Sequence, residues 1–367
     1  MTAPRAQAQA FLDEGNAHRA AGRLHEAAAS FRRAIAAAPG DCAGHFNLAV
    51  VSNASGDVRQ AVLSFRDATR LAHSSGLPKA YSSAVQSAAS LVATNVERGG
   101  APLFPRASRA EPVPGEPFSI VVCSIRPDLL EAMKRNFARA LGRRDHELIA
   151  IADARSLAEG YNRGLALARH GLVAFTHDDV ELLTPDAFDR LERALAAHDV
   201  VGLAGSGLVR GPAVMWAGHP HLRGFVAMPV ADDPAACNAT LFSLECGTMA
   251  GMQALDGFFL AARREAALAV GFDAATFDGF HFYDLDFTYR AWLAGFRVAV
   301  TTDVIALHRS LGNFGDAWKR YAPRFSAKFP SLDGVRGSNE HFGARLSSRA
   351  HALGFYEELR GLAATPS

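Results

Sequence analysis

Cysteine, long apolar runs and an excess of charge of either sign are all scarce in this chain of 367 residues. Its four cysteines form no CxxC pair, so we expect neither a disulfide framework nor a structural zinc site, and we expect a reducing compartment. No run of about 18 apolar residues is present, which argues against a membrane span. The first residues, MTAPRAQAQAFLDEG, lack the apolar core of a signal peptide, and this favours a cytoplasmic protein.

Positive and negative charges nearly cancel, because 38 basic and 37 acidic residues give a formal net charge of +1. Such a balance gives no reason to expect binding to nucleic acid or to an anionic membrane. Hydrophobic residues make up 49% of the chain, which is enough for a globular core. The length predicts two domains, one of about 100 residues and one of about 200–250 residues.

An internal repeat of 34 residues occupies the first part of the chain. A shift of 34 superimposes Gly22 on Gly56, Ala27 on Ala61, Ser30 on Ser64, Phe31 on Phe65, Arg32 on Arg66, and Ala34 on Ala68. This period is typical of helix–turn–helix units, in which glycines allow the turn and small alanines let the two helices approach. Residues 6–72 resemble tetratricopeptide (TPR) repeats, and we predict an all-α domain over residues 1–98.

The role of these repeats is left open by the sequence. About three units are needed to bury a continuous core, and residues 78–97 are predicted to supply a last helix. A concave surface for a protein partner or acceptor and a helical appendage for a homodimer are both compatible with the sequence. No conspicuous charged or aromatic stripe distinguishes between them.

A linker is predicted at residues 99–117, where five prolines and three glycines prevent a regular element. Apolar strands then alternate with helical segments. The strands are predicted at 118–123, 147–152 and 171–176, and the helices at about 128–141 and 157–169. This alternation is typical of an α/β domain with a doubly wound, mostly parallel sheet, here over residues 118–330, with a helical C-terminal extension at 331–367.

Acidic and imidazole side chains follow the third predicted strand, at His177, Asp178 and Asp179. Neighbouring carboxylates repel each other in the absence of a cation, and carboxylate and imidazole ligands suit manganese or magnesium. The alternative is an acidic turn or a helix cap, in which Asp178 or Asp179 accepts backbone amides. The residues after the first two strands are expected at the same edge of the sheet, because ligands of such sheets bind at the carboxyl ends of the strands.

From Phe118 to about His308 the chain resembles a family 2 glycosyltransferase of the Rossmann-like GT-A fold. Several blocks carry this resemblance: GYNRGLA at 160–166, His-x-Asp at 177–179 in place of the usual Asp-x-Asp, ALDGFFLAARR at 254–264, Gly-Phe-Asp at 271–273, and FYDLDFTYR at 282–290. In the last block, Tyr283 stands where the family usually has Glu before the acid.

Twelve residues are expected to carry the function, some from the resemblance, some from their place at a strand end, and Trp216 from the stretch 211–250, which lacks a clear periodicity. The donor nucleotide would be bound by Ser124, Arg126, Asp153, Asn162 and Asp178. A manganese or magnesium ion would be held by Asp179, His177 and His308. The general base would be Asp284, with Asp286 as the neighbouring alternative, and acceptor specificity would involve Trp216 and Asp256.

The implied reaction is an inverting, metal-assisted transfer of a sugar from a nucleotide-diphosphate donor to a hydroxyl of a glycan or protein acceptor. A cation would stabilise the leaving diphosphate, and a carboxylate on the other face of the sugar would take the proton of the attacking hydroxyl. One alternative is a nucleotidylyltransferase, which would need a Gly-rich basic loop where the chain has Ser124–Pro127. The other is a non-catalytic TPR scaffold with a degenerate sugar-nucleotide-binding domain.

Overall fold

The computed structural model describes residues 3–105, 115–212, 218–310, 315–332 and 340–365. Two compact units divide the chain. The first comprises Met1–Ala107, Phe342–Ser347 and Gly354–Ser367, and the second comprises Ser108–His341 and Ser348–Leu353. None of the helices in the described ranges combines the length and the apolar character needed to cross a bilayer.

The first unit begins with five helices in residues 3–105: α1 (Ala3–Ala20), α2 (Leu24–Ala37), α3 (Cys42–Ala54), α4 (Val58–Ser74) and α5 (Pro78–Glu97). Helices α1 and α2 pack as a pair, as do α3 and α4. The two turns inside these pairs contain Gly22 and Gly56, whose φ angles of 76° and 87° are readily adopted by glycine. The prediction of an all-helical N-terminal region is confirmed.

Small residues set the spacing of the first helix pair. Ala27 and Phe31 of α2 are fully buried. A Cβ added to Gly15 of α1 would lie 2.5 Å from the Phe31 ring, so the two helices approach this closely only because residue 15 has no side chain. Phe65, the residue that matches Phe31 in the repeat, is also buried.

The second unit contains the strands and helices of the α/β domain. In chain order these are β1 (Phe118–Cys123), α6 (Pro127–Leu141), β2 (His146–Ile151), α7 (Leu157–Leu167), β3 (Leu172–Thr176), β4 (Val180–Leu182), α8 (Ala187–Ala197), β5 (Val200–Gly202), β6 (Ala204–Ser206), β7 (Leu222–Val230), β8 (Asp233–Leu241), β9 (Thr248–Ala250), β10 (Ala254–Leu255), β11 (Phe259–Arg263), α9 (Arg264–Val270), α10 (Tyr283–Leu293), β12 (Val298–Thr301), β13 (Ala306–His308) and α11 (Asp316–Lys328). An α/β domain is thus confirmed.

The main sheet has the strand order β2-β1-β3-β11-β5-β12-β9. Strands β1, β2 and β3 are parallel, but β11 runs antiparallel to both β3 and β5, and β9 runs antiparallel to β12. The prediction of a mostly parallel, doubly wound sheet is therefore corrected to a mixed sheet. The error has a physical cause, since a buried strand is the same apolar run whichever way it crosses the sheet.

A second sheet, with the order β10-β6-β7-β13-β4, positions part of the candidate site. Strand β13 runs antiparallel to β4, and their register pairs His308 with Val180. This pairing places His308 directly beside the acidic segment that follows β3. The two sheets thus bring distant parts of the sequence together at the end of β3.

The chain ends with β14 (Phe342–Leu346) and α12 (Arg349–Ala364). Strand β14 lies against α5, where the Gln86 side chain donates to the Gly343 carbonyl at 3.0 Å and accepts from the Gly343 amide at 3.2 Å. From residue 354 onward, α12 belongs to the helical unit. Within the described part of the predicted C-terminal extension, α12 is the helix, at Arg349–Ala364.

Candidate active site

Three metal-ligating side chains meet at the end of β3. His177 Nδ1 lies 3.3 Å from His308 Nε2, and His308 Nε2 lies 3.4 Å from Asp179 Oδ1. One ligand atom from each of these residues lies within 4.8 Å of the others. The structure therefore brings together the three residues that were predicted to hold a metal.

Asp179 has one oxygen satisfied and one available. Its Oδ2 accepts a hydrogen bond from the backbone amide of Ser310 at 2.9 Å. Its Oδ1 is buried and accepts no hydrogen bond from the described residues. A buried carboxylate oxygen without a donor is costly, and a divalent cation held by two imidazole nitrogens and this oxygen would satisfy it.

The charge states of this cluster suit a cation. Burial, together with the neighbouring His308, lowers the pKa of His177 to about 4, so the imidazole is neutral and offers a lone pair at neutral pH. Burial alone would raise the pKa of Asp179, but the nearby His308 and the hydrogen bond from Ser310 bring it well below its usual range. Asp179 therefore stays ionised.

Asp178 points to different partners from Asp179. Its Oδ2 accepts a hydrogen bond of 2.6 Å from the Ser124 hydroxyl, at the end of β1. Burial raises the pKa of Asp178, and the Ser124 hydrogen bond opposes that rise. Two residues predicted to bind the donor nucleotide thus touch each other at the carboxyl ends of β1 and β3.

A second pair of acids lies at the start of α10. Asp284 Oδ2 accepts from the Gly257 amide at 2.9 Å, and Asp256 Oδ1 accepts from the Phe258 amide at 3.2 Å. Burial, together with the negative charge of Asp256, raises the pKa of Asp284 to about 7. Burial also raises the pKa of Asp256. Asp284 is therefore a carboxylate that exchanges a proton near neutral pH.

Asp286 lies on the same helix turn as Asp284 but in another environment. Its side chain is fully buried and forms ion pairs with Arg290 at 2.8 Å and with Lys328 at 2.5 Å. The Arg290 guanidinium also donates to the carbonyls of Val270 and Gly271 at 2.6 Å. Asp286 thus joins α10, α11 and the turn after α9.

The other predicted nucleotide-binding side chains have partners of their own. Arg126 is exposed and forms an ion pair with Asp128 at 3.0 Å, and Asp153 is exposed and forms one with Arg163 at 2.8 Å. The Asn162 side-chain amide donates to the Phe272 carbonyl at 2.7 Å and accepts from the Phe272 backbone amide at 2.9 Å. Trp216, predicted to contribute to acceptor specificity, lies outside the described residues.

The hydroxyl of Tyr283 is a feature of the site that the sequence did not predict. His177 Nε2 lies 2.8 Å from Tyr283 Oη, so a direct hydrogen bond joins the His177–Asp179–His308 cluster to α10, in which Asp284 is the next residue. The signal that could have found it is the Tyr at a position where the resembled family usually has Glu. A cleft of about 210 Å³ beside Asp178 and Asp179 was also not foreseen, and Arg135 and Arg139 of α6 line it.

Solved structures with similarity to parts of the chain share little sequence with it. A197 from STIV is 13% identical, with 54% of this chain and 87% of that chain covered and a TM-score of 0.33. The mannosyltransferase PcManGT from Pyrobaculum calidifontis, in complex with GDP-Man and Mn2+, is 15% identical, with 83% and 85% covered and a TM-score of 0.38. S. aureus TarS 1-349 is 12% identical, with 52% and 60% covered and a TM-score of 0.33.

No curated protein sequence matches the chain. A family model does match: residues 121–326, more than half of the chain, fit a family described as "Glycosyltransferase like family". All twelve residues that the sequence analysis selected lie within this span. The chain therefore belongs to the glycosyltransferase-like family, and the prediction that it is a glycosyltransferase is confirmed.

Proposed function

We propose that this enzyme transfers a sugar from a nucleotide-diphosphate donor to a hydroxyl of a glycan or protein acceptor, with inversion at the sugar carbon and assistance from manganese or magnesium. One observation carries the proposal. The His177–Asp179–His308 cluster and the carboxylate of Asp284 are linked through the hydrogen bond between His177 and Tyr283, at one edge of the main sheet. A cation site next to a proton acceptor is what this reaction requires.

The metal-ligating cluster would serve the leaving group. His177, Asp179 and His308 would hold the cation, and the cation would stabilise the negative charge that develops on the nucleoside diphosphate. Ser124 and Asp178, which touch each other at the same edge, would contact the donor nucleotide. Arg126 and Asp153 follow the neighbouring strands β1 and β2 and are exposed, so a nucleotide could replace their present ion-pair partners.

Asp284 would serve the acceptor. As the acceptor oxygen bonds to the anomeric carbon, the bond from that carbon to the diphosphate breaks and the hydroxyl proton passes to the Asp284 carboxylate. Asp256 beside it disfavours a second negative charge and so strengthens Asp284 as a base. We assign this role to Asp284 and not to Asp286, because Asp286 is neutralised by Arg290 and Lys328.

We further propose that the N-terminal unit is of the TPR type and binds a protein partner or a protein acceptor. The 34-residue shift, the paired helices and the positive φ angles of Gly22 and Gly56 support this assignment. A homodimer is the alternative use of the same helices. None of the four cysteines, all of which lie in the described ranges, forms a disulfide, and this agrees with the reducing, cytoplasmic location that we propose.

The reaction is tested with a panel of nucleoside diphosphate sugars, each incubated with the full chain and Mn²⁺. We expect at least one donor to release its nucleoside diphosphate slowly into water, because acceptor-free hydrolysis uses the same leaving-group stabilisation. Excess chelator should abolish the release. A chain that binds donors and hydrolyses none, with or without candidate acceptors, would contradict the proposal. Release of pyrophosphate from a nucleoside triphosphate would support the nucleotidylyltransferase alternative instead.

A further inference from the structure

One hydrogen bond joins the metal-ligating cluster to the helix that carries the proposed base. His177 Nε2 lies 2.8 Å from Tyr283 Oη, while the other ring nitrogen, Nδ1, faces His308 Nε2 at 3.3 Å. The two nitrogens of this imidazole thus have separate partners. Nδ1 faces the cluster, and Nε2 faces α10.

We propose that Tyr283 is a positioning residue that orients His177 so that Nδ1 binds the cation. The proposal rests on the cation site of the proposed function. An imidazole that binds a cation through Nδ1 carries its proton on Nε2, and this N–H needs an acceptor when it is buried. The Tyr283 hydroxyl is that acceptor. It fixes both the tautomer of His177 and the rotation of its ring.

The surroundings of Tyr283 hold its hydroxyl in place. The side chain is buried, and its ring packs edge-on against Tyr161, with ring centroids 5.6 Å apart. A Cβ added to Gly257 would lie 2.2 Å from Tyr283 Oη, so the Gly257 backbone closes the space around the hydroxyl. Few rotamers are open to a side chain packed in this way.

The consequence is a physical connection between the two halves of the site. Tyr283 is followed directly by Asp284, so one turn of α10 positions a metal ligand through the tyrosine and presents the proposed base through the aspartate. The Gly257 amide, which donates to Asp284 at 2.9 Å, supports the same turn. Tyr283 therefore sets the place of His177 relative to Asp284.

The test is titration of the full chain with Mn²⁺ by calorimetry, without nucleotide. Tyr283→Phe removes only the hydroxyl, and we expect the Mn²⁺ dissociation constant to rise about 10- to 100-fold. Tyr289→Phe is the matched control, because Tyr289 lies on the same helix, is buried and stacks on Trp292. This control should leave the dissociation constant unchanged. His177→Ala gives the affinity of a cluster that has lost a ligand.

An unchanged Mn²⁺ affinity in Tyr283→Phe, with a clear loss in His177→Ala, would overturn this inference and leave the cation site standing. A wild-type chain that binds no Mn²⁺ would overturn both. A second measurement does not depend on the folding of any variant. In the wild-type chain loaded with diamagnetic Zn²⁺, ¹⁵N NMR of the histidine ring should show His177 bound through Nδ1 and protonated at Nε2. Binding through Nε2 would overturn the inference.

Discussion

Asp284 and Asp286 lie two positions apart in the first turn of α10, yet they have opposite kinds of partner. Asp284 accepts a hydrogen bond from the backbone amide of Gly257 and has a second acid, Asp256, as its neighbour. Asp286 is fully buried and is held by the cations of Arg290 and Lys328. A carboxylate beside another acid takes up a proton readily. Asp286 is instead the counter-charge of two cations. The two acids should therefore respond differently to the same substitution.

We expect Asp284→Asn to lower turnover by at least ~100-fold, because a general base contributes typically ~10²–10⁴-fold to the rate. Donor affinity should be nearly unchanged, since an amide can still accept from the Gly257 amide. Asp286→Asn should act on stability, because it removes the charge of a fully buried carboxylate that pairs with Arg290 and Lys328, and breaking such a buried ion pair costs about 3–5 kcal/mol. Steady-state kinetics and thermal unfolding of both variants distinguish the roles. If Asp286→Asn alone lost turnover while keeping its stability, our choice of base would be wrong.

The pKa of Asp284, raised to about 7 by burial and by Asp256, predicts a pH-dependent rate. Because the base must be ionised, kcat/KM should rise with pH and level off above about pH 7. Asp256→Asn removes the neighbouring charge and should move the rise of kcat/KM to lower pH. The measurement is the pH profile of kcat/KM for both proteins. If kcat/KM rose at the same pH in Asp256→Asn as in the wild type, Asp256 would have no influence on the base.

The same pKa makes a prediction about stability. The folded-state pKa of Asp284 lies above that of an unfolded aspartate, so the folded state binds more protons between these two values. The contribution of this group to stability is therefore favourable at acid pH and is lost as the pH rises toward 7. Asp284→Asn carries no charge at any pH, so its Tm should exceed that of the wild type at pH 8. An equal or lower Tm at pH 8 would contradict a raised pKa.

Much of the local structure could be predicted because it is encoded in short segments. The apolar, β-branched run at 118–123 is a strand at those residues, and Pro127 begins a helix that ends at Leu141, as expected. The glycines at 22 and 56 lie at turns because only a residue without Cβ adopts their φ angles easily. These features depend on neighbours in the sequence, and a single sequence contains them.

The remaining features depend on contacts between distant residues. The direction of β11 is not encoded in its apolar pattern, and the approach of His308 to Asp179 results from the pairing of β13 with β4. The two hydrogen bonds between the Asn162 side chain and the backbone of Phe272, 110 residues away, likewise cannot be predicted from the residues around Asn162. The resemblance to a known family supplied His308 and Asp284 as candidates, whereas spacing alone would not have joined them to His177.

Asp179 is the residue on which the cation proposal depends most. Asp179→Ala removes the carboxylate whose Oδ1 accepts no hydrogen bond from the part of the chain that the structure describes, and we expect nucleoside diphosphate binding to weaken at least ~10-fold, about 1.4 kcal/mol. Glu131→Ala, an exposed acid of α6 paired with Lys134, is the control and should bind as the wild type does. Calorimetry with and without Mn²⁺ checks the expectation. Undiminished wild-type affinity in excess chelator would show that the nucleotide does not need a cation.

Glu358 of α12 gives a stability prediction for the helical unit. Its carboxylate is buried, 2% exposed, and Oε2 accepts from the amides of Leu103 and Phe104 at 3.0 and 3.1 Å. Glu358→Ala leaves these amides without their acceptor, which costs roughly 1–3 kcal/mol for each one that stays buried. We therefore expect a clear loss of thermal stability.

Glu357→Ala is the control for this experiment. Glu357 is the preceding residue, and it forms an ion pair at 2.9 Å with Arg360, which lies three residues later on the same helix, both side chains being half-buried. Such a pair contributes about 0–1 kcal/mol, so its loss should lower the unfolding temperature far less. The measurement is chemical denaturation of the full chain, with the free energy of unfolding compared between the two variants. Equal losses in both would mean that Glu358 does not anchor residues 103–104, and that this end of the predicted linker is held by the burial of Phe104 alone.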